Sequence, residues 1–231
     1  GWRIGSGSHP LTHYDKDPDL TAVTENVVDR AASPPRLRKK VLVPASSIKG
    51  ALVHRLLFHF SRRKGIWAED RLPKNLKSLS GEQVDQAMLW SWQDDPDFAP
   101  IIQLLGSAKH SGNANGLAGA LYIDDIYLDM PNAKQLAVQP HNAMDSFTGG
   151  ARNRMLFSEE LLTNQKLSIV MSMEQRCYEA LDKDLQEALH DTLEDLAHGR
   201  LALGAAAGRG HGFFHGSVEH FTAPNSGGVT E

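Results

Sequence analysis

The chain has 231 residues, 41% hydrophobic and 23% charged, with a formal net charge of −4. That length supports one large domain or two small ones, and the composition excludes a disordered or fibrous chain. A single cysteine, Cys177, excludes an internal disulfide and fits a reducing cytoplasm, and no apolar run approaches the roughly 20 residues of a membrane helix.

Trp2, Arg3 and Ile4 read as the tail of a strand, broken at once by GSGSHP. The abrupt start suggests that part of this strand, or of a longer polypeptide, lies upstream. From Gly5 to Lys40 the sequence is polar and rich in Gly, Pro, Asp and Ser, interrupted only by Ala22 to Val28. A connection this long is expected to be functional or mobile. It carries Asp15, Asp17, Asp19, Glu25 and Asp29.

Val41, Leu42 and Val43 end a strand that Pro44 stops, because proline cannot donate to a sheet ladder. Ser46 or Ser47 is placed to cap a helix whose apolar stripe is Ile48, Leu52 and Leu56, with Val53 and Phe60 beside it. Such a helix start gathers free N–H groups, a hydroxyl and Lys49 at one point, which suits a phosphate. An ordinary strand–turn–helix with an exposed lysine reads the same way.

After an irregular bridge, residues 80–105 are predicted helical, with Ser80 as a cap; Trp90 and Trp92 suit packing better than base stacking. Residues 106–116 read as a loop and Ala118 to Leu128 as a strand. Asp124 and Asp125 on that strand suit either a metal or a basic neighbour. Residues 136–160 read as a long hairpin with its tip at Thr148, Gly149 and Gly150, followed by Arg152 and Arg154. Residues 165–174 alternate as a half-buried strand does. Residues 176–198 form the clearest helix, with leucines at helical spacing opposite a row of acids. Gly204, Gly208, Gly210, Gly212 and Gly216 then make a glycine-rich stretch around Arg209, before a strand at Ser217 to Phe221. The order of strands and helices is that of an α+β, ferredoxin-like βαββαβ fold with insertions, about 61–105 being largely helical.

Charge is unevenly placed. Residues 36–40 read RLRKK, and Lys49, Arg55, Arg62, Arg63 and Lys64 follow. The acids Glu179, Asp182, Asp184, Glu187, Asp191, Glu194 and Asp195 share one segment. The two runs read either as solubilising faces or as an RNA-binding side opposite an acidic one. The glycine stretch is neither a Walker loop nor a dinucleotide fingerprint. His211 and His215 lack the shared helix face of a zinc pair, so no zinc is expected, and no hydrolase motif stands out.

Taken together, the motifs resemble the RAMP superfamily, the RNA-binding proteins of CRISPR–Cas effector complexes, and look closest to the backbone subunit of type III complexes. VPASSIKGALVHRL resembles the family's serine–lysine signature, with Ala45 where a glycine is usual. The IGSG turn, the segment from Leu104 to Asp125, FTGGARNRMLFSEE and LGAAAGRGHG follow in the family's order. The resemblance spans nearly the whole chain as a single domain and implies a modified RNA-recognition fold. Ser46, Ser47 and Lys49 would hold guide phosphates with Arg55 beside them, and Gly208, Arg209, Gly210 and His211 would press on the same backbone, with Arg152 and Arg154 as further contacts. The hairpin would be the family's thumb, with Met144, Phe147, Met155 and Leu156 as wedges between bases.

The resemblance also implies a catalytic aspartate in the loop before the serine–lysine motif. Asp29, after Val28, lies at the matching distance, and Glu25 is the reserve. A carboxylate there would help Mg²⁺ or the RNA's own 2′-hydroxyl attack the phosphate. The implied protein is cytoplasmic and touches no membrane. Its partners are guide CRISPR RNA, single-stranded target RNA, and other RAMP subunits or copies of itself in a filament-like complex. A non-catalytic scaffold of that complex, or a general single-strand RNA-binding module, fits the same basic and glycine-rich segments.

Overall fold

The stretch expected as an open connection is a β-ribbon over its second half. In the computed structural model, which describes residues 1–5, 7, 9–11, 17–67, 95–107 and 116–220 and, within them, not the side chains of 152–154, β1 (Thr24–Asp29) pairs antiparallel with β2 (Arg36–Val43). The register runs from Thr24 opposite Val41 to Asp29 opposite Arg36. Charged residues mask the strand in the sequence. The outer half is exposed on both faces, so no apolar alternation marks it, and only Val41 and Val43 at its inner end are buried. A third strand, β6 (Ile126–Leu128), pairs with β2 on the side away from β1.

Pro44 then opens α1 (Ala45–Lys64), whose stripe of Ile48, Leu52, Leu56 and Phe60 is fully buried. The stripe serves two cores. Ile48 and Leu52 join Trp2, Ile4, Ala22, Val41, Val43, Leu162 and Leu203, while Leu56 and Phe60 pack with α2 (Ala99–Leu105) and with Leu185 and Leu189. Leu185 and Leu189 lie on α4 (Lys183–Ala197), which packs against α1. The single helix expected over 176–198 is broken: α3 (Gln175–Glu179) ends early, and Asp182 caps α4 by accepting from the Asp184 N–H at 2.8 Å.

The strand expected over 118–128 is likewise divided into β4 (Leu117–Ala118), β5 (Tyr122–Ile123) and β6; β4 pairs with β3 (Gly106–Ser107). Of 165–174 only β9 (Met171–Ser172) is strand, paired with β5. The helix expected from Ser80, with Trp90 and Trp92, lies mostly outside the described residues, as does most of the 106–116 loop.

The long hairpin is present as β7 (Leu136–Met144) and β8 (Ala151–Leu162). Its base is threaded into the core by the first residues of the chain: Trp2 and Leu162 exchange backbone hydrogen bonds, both 2.9 Å. On the other side, Ala205 N–H donates to Arg3 O and Gly212 N–H to Gly1 O. The last pair, β10 (His198–Ala202) and β11 (Phe213–His215), brackets the glycine-rich turn; the strand expected at 217–221 is absent over its described part, 217–220. Gly212, at φ +81, sits where a Cβ would fall 2.1 Å from Leu203 O, so this backbone passes too close for any side chain.

Candidate nucleic-acid interface

The start of α1 is not capped by either serine. Pro44 occupies the cap with no side-chain bond, its carbonyl accepting from Ser47 N–H and Ile48 N–H. The Ala45 N–H instead donates to the Asp125 carboxylate at 2.6 Å. Asp125, which the sequence leaves between metal ligand and ion-pair partner, is thus a cap supplied from 80 residues downstream. Ser46 is exposed, and Ser47 and Lys49 are half-buried, where full exposure is expected for Lys49 from the sequence. Among the described residues, Lys49 has no ion-pair partner.

Three further cations of α1 are spent on α4 and its cap, while Arg62 is exposed and has no ion-pair partner among the described residues. Arg63 pairs with Glu187 and Asp191, and Lys64 with Asp182 (3.0 Å) and Asp184 (2.7 Å). Arg55, expected beside the phosphates, is bound to Asp195, together with His59 (2.8 Å) and Arg200. Burial pushes the Asp195 carboxyl up, but the hydrogen bonds from Arg200, Arg55 and His59 outweigh it and hold the group far below the usual carboxylate range. The expectation of separate basic and acidic sides is therefore corrected for α1 and α4. Each neutralises the other across their seam.

The glycine-rich turn is organised from below by Glu159 of β8, which is 0% exposed. Arg3 Nε donates to one of its oxygens at 2.9 Å and Arg209 Nη2 to the other at 2.7 Å. His141 Nε2 approaches at 3.3 Å without hydrogen-bond geometry. Burial raises the Glu159 carboxyl, and Arg209 and Arg3 more than offset that, so it lies below its ordinary value. Arg209 remains partly exposed, and Gly208 and Gly210 border open space. His211 does not join them at the surface: it is buried, and its Nε2 has no hydrogen-bond partner among the described residues.

At the hairpin tip, Asp145 accepts from the N–H groups of Phe147 and Thr148, both 2.9 Å, which holds its carboxyl below the ordinary value and fixes the turn. This leaves Phe147 98% exposed, with Met144, Met155 and Leu156 also exposed along the arms. Arg152 and Arg154 run in β8, but their side chains lie outside the described residues.

Asp29 ends β1. Its carboxylate pairs with Arg38 at 2.7 Å and accepts from Ala31 N–H at 3.1 Å. It is the only acid lining a shallow recess of about 210 Å³, beside Val27, Val28, Arg30, Arg38 and Lys40. Glu25 accepts from the Tyr127 hydroxyl at 3.0 Å, raising the phenol's pKa. Among the described residues no group of three His, Cys, Asp or Glu could hold a metal ion, and the recess offers one carboxylate, Asp29, which is paired with Arg38.

A family model described as the RAMP superfamily matches residues 2–215. Among solved structures, a chain of one titled "Type IV-B CRISPR Complex" superposes with a TM-score of 0.50 at 16% identity, covering 96% of this chain and 91% of that one. That likeness bears on fold and agrees with the α+β, ferredoxin-like architecture. No curated protein matches the chain.

Proposed function

Because the chain belongs to the RAMP superfamily, we propose that it is an RNA-binding backbone subunit of a CRISPR effector complex, which holds guide RNA by its phosphates beside the target strand. One observation carries the reading: Lys49, in the family's serine–lysine motif, stands at the start of α1 as a cation without a partner among the described residues, while Arg55, Arg63 and Lys64 on the same helix are neutralised and unpaired Arg62 lies at the far end of the helix. An unpaired lysine there contributes charge to an incoming phosphate instead of to the fold. Exposed Ser46 and Gly208 add donors and a smooth approach. The type III arrangement, with copies or close relatives stacked along the guide in the cytoplasm, is the finer part of the reading and is supported by the motifs at 44–50, 146–160 and 203–212. No described helix is long and apolar enough to cross a membrane.

The experiment is Lys49→Glu. Co-purified or added guide RNA should be lost while the thermal unfolding profile is kept, and unchanged RNA content would overturn the reading.

A second reading, target cleavage at Asp29, is favoured by the place of its carboxylate on the wall of the ribbon's recess. There it would take the proton of an RNA 2′-hydroxyl as that oxygen attacks the adjacent phosphorus and the 5′-oxygen leaves.

A further inference from the structure

We propose that the outer half of the β1–β2 ribbon is a second RNA-contacting surface, which grips a phosphate chain through Arg30, Arg36 and Lys39. The inference rests on the reading that this chain binds RNA, and it adds a site apart from the start of α1.

Apart from Lys49 and Arg62 on α1, the ribbon is the part of the basic region that the fold leaves charged. On α1, three cations are absorbed by α4. On the ribbon, Lys40 pairs with Asp129 and Arg38 with Asp29, but Arg30, Arg36 and Lys39 are exposed and have no partner among the described residues. The ribbon's own acids cannot compensate them, since Glu25 is taken by Tyr127 and Asp29 by Arg38. Three uncompensated cations thus gather on one protrusion of a chain whose total charge is −4.

The shape agrees. Residues 33–39 are all exposed, so both faces of the outer half are open. Alternation places Lys39 on one face and Arg36 on the other, with Arg30 at the end between them. Val28 and Leu37, paired across the strands on the Lys39 face, are 52% and 66% exposed. A two-stranded ribbon is marginal in water by itself, and Lys39 beside an open apolar pair on one face, with Arg36 on the other face and Arg30 at the end between them, suits a phosphate chain that wraps the ribbon's outer end. A second copy of this chain is a poor occupant: Asp182, Asp184, Glu187, Asp191 and Asp195 of its acid-rich helix are already spent on α1.

The test compares the parent chain, the triple variant Arg30→Gln/Arg36→Gln/Lys39→Gln, and Lys49→Glu for binding to a labelled single-stranded RNA across a salt series. All three substituted ribbon residues are exposed, so folding should be unaffected, and circular dichroism checks it. The triple variant should bind at least about tenfold more weakly at low salt. Its slope of log affinity against log salt should fall by about 2, since each phosphate that is no longer neutralised removes about 0.7 from the slope. An unchanged slope in the triple variant with weakened binding by Lys49→Glu overturns the ribbon site and leaves the reading of the protein standing. No change in either variant overturns both. An unchanged slope accompanied by lost self-association assigns the ribbon to a protein contact and overturns the proposal.

Discussion

Arg55 of α1 and Asp195 of α4, 140 residues apart in sequence, are hydrogen-bonded in a partly buried seam. Asp195 is 5% exposed and also holds His59 and Arg200, so one carboxylate gathers three basic side chains. Its removal leaves charge facing charge. Asp195→Ala should cost about 2–3 kcal/mol, below the value for a fully buried pair because Arg55 and Arg200 retain contact with water. Urea unfolding of the two proteins at neutral pH measures the difference, and a loss under about 0.5 kcal/mol would mean the seam is held by its leucines alone.

The same carboxylate predicts a pH dependence. Asp195 and Glu159 both have depressed pKa values in the folded protein, so below the ordinary carboxylate range the unfolded chain binds more protons than the native one. Their contribution is complete above the unfolded value of about 4 and is lost as pH falls through that value toward the folded ones. The stability gap between the parent and Asp195→Asn should be flat from pH 8 to about pH 5 and shrink below about pH 4. A gap that widens in acid would contradict the sign.

Phe147→Ser tests the hairpin as a wedge. With the ring 98% exposed, stability should change by less than about 0.5 kcal/mol. Splaying bases costs a few kcal/mol per step and needs an inserted apolar group to offset it. Complexes assembled with the variant should therefore show a more regular guide–target duplex at this subunit. Unaltered base splaying would remove Phe147 from the wedge.

Asp29→Ala separates the catalytic subunit from the scaffold. On the cleavage reading it abolishes cutting of a labelled target and leaves target binding nearly unchanged, since a carboxylate adds no affinity for a polyanion. Parallel loss of binding would show that the Asp29–Arg38 pair shapes the ribbon. Full activity, with loss in Glu25→Ala, would move the chemistry to the opposite end of β1.

Gly212→Ala should be severely destabilising. The substitution adds a left-handed backbone cost of about 1–2 kcal/mol to a contact with the Leu203 carbonyl that cannot be relieved locally. Gly208→Ala, in open space without a positive φ, should fold normally. Comparing their melting temperatures checks the pair.

What the sequence disclosed followed from local pattern. The stripe of α1, the hairpin at 136–160 and the glycine turn are each read from spacing or turn chemistry within one segment. The partners of Arg55, Arg209 and the α1 cap come from residues 140, 50 and 80 positions away, and nothing local marks them. The ribbon escapes for a different reason. Its outer strands bury neither face, so the alternation that identifies a strand is missing between Glu25 and Lys40. The glycines around His211 suggest a surface position, yet it is the residue of that turn that points inward.

Trp2 pairs with Leu162, Arg3 with Ala205, and Gly1 with Gly212, so residues 1–4 occupy a slot whose two walls lie more than 150 positions downstream. During synthesis residues 1–4 must wait for partners made more than 150 residues later. Such long-range closure makes folding slow and leaves Trp2 and Ile4 uncovered in the nascent chain, where they can seek other apolar surfaces. A partner already present at the ribosome, or a folding chaperone, would raise the yield of this protein more than a lower expression temperature alone, because it is order of arrival, and not final stability, that exposes the segment.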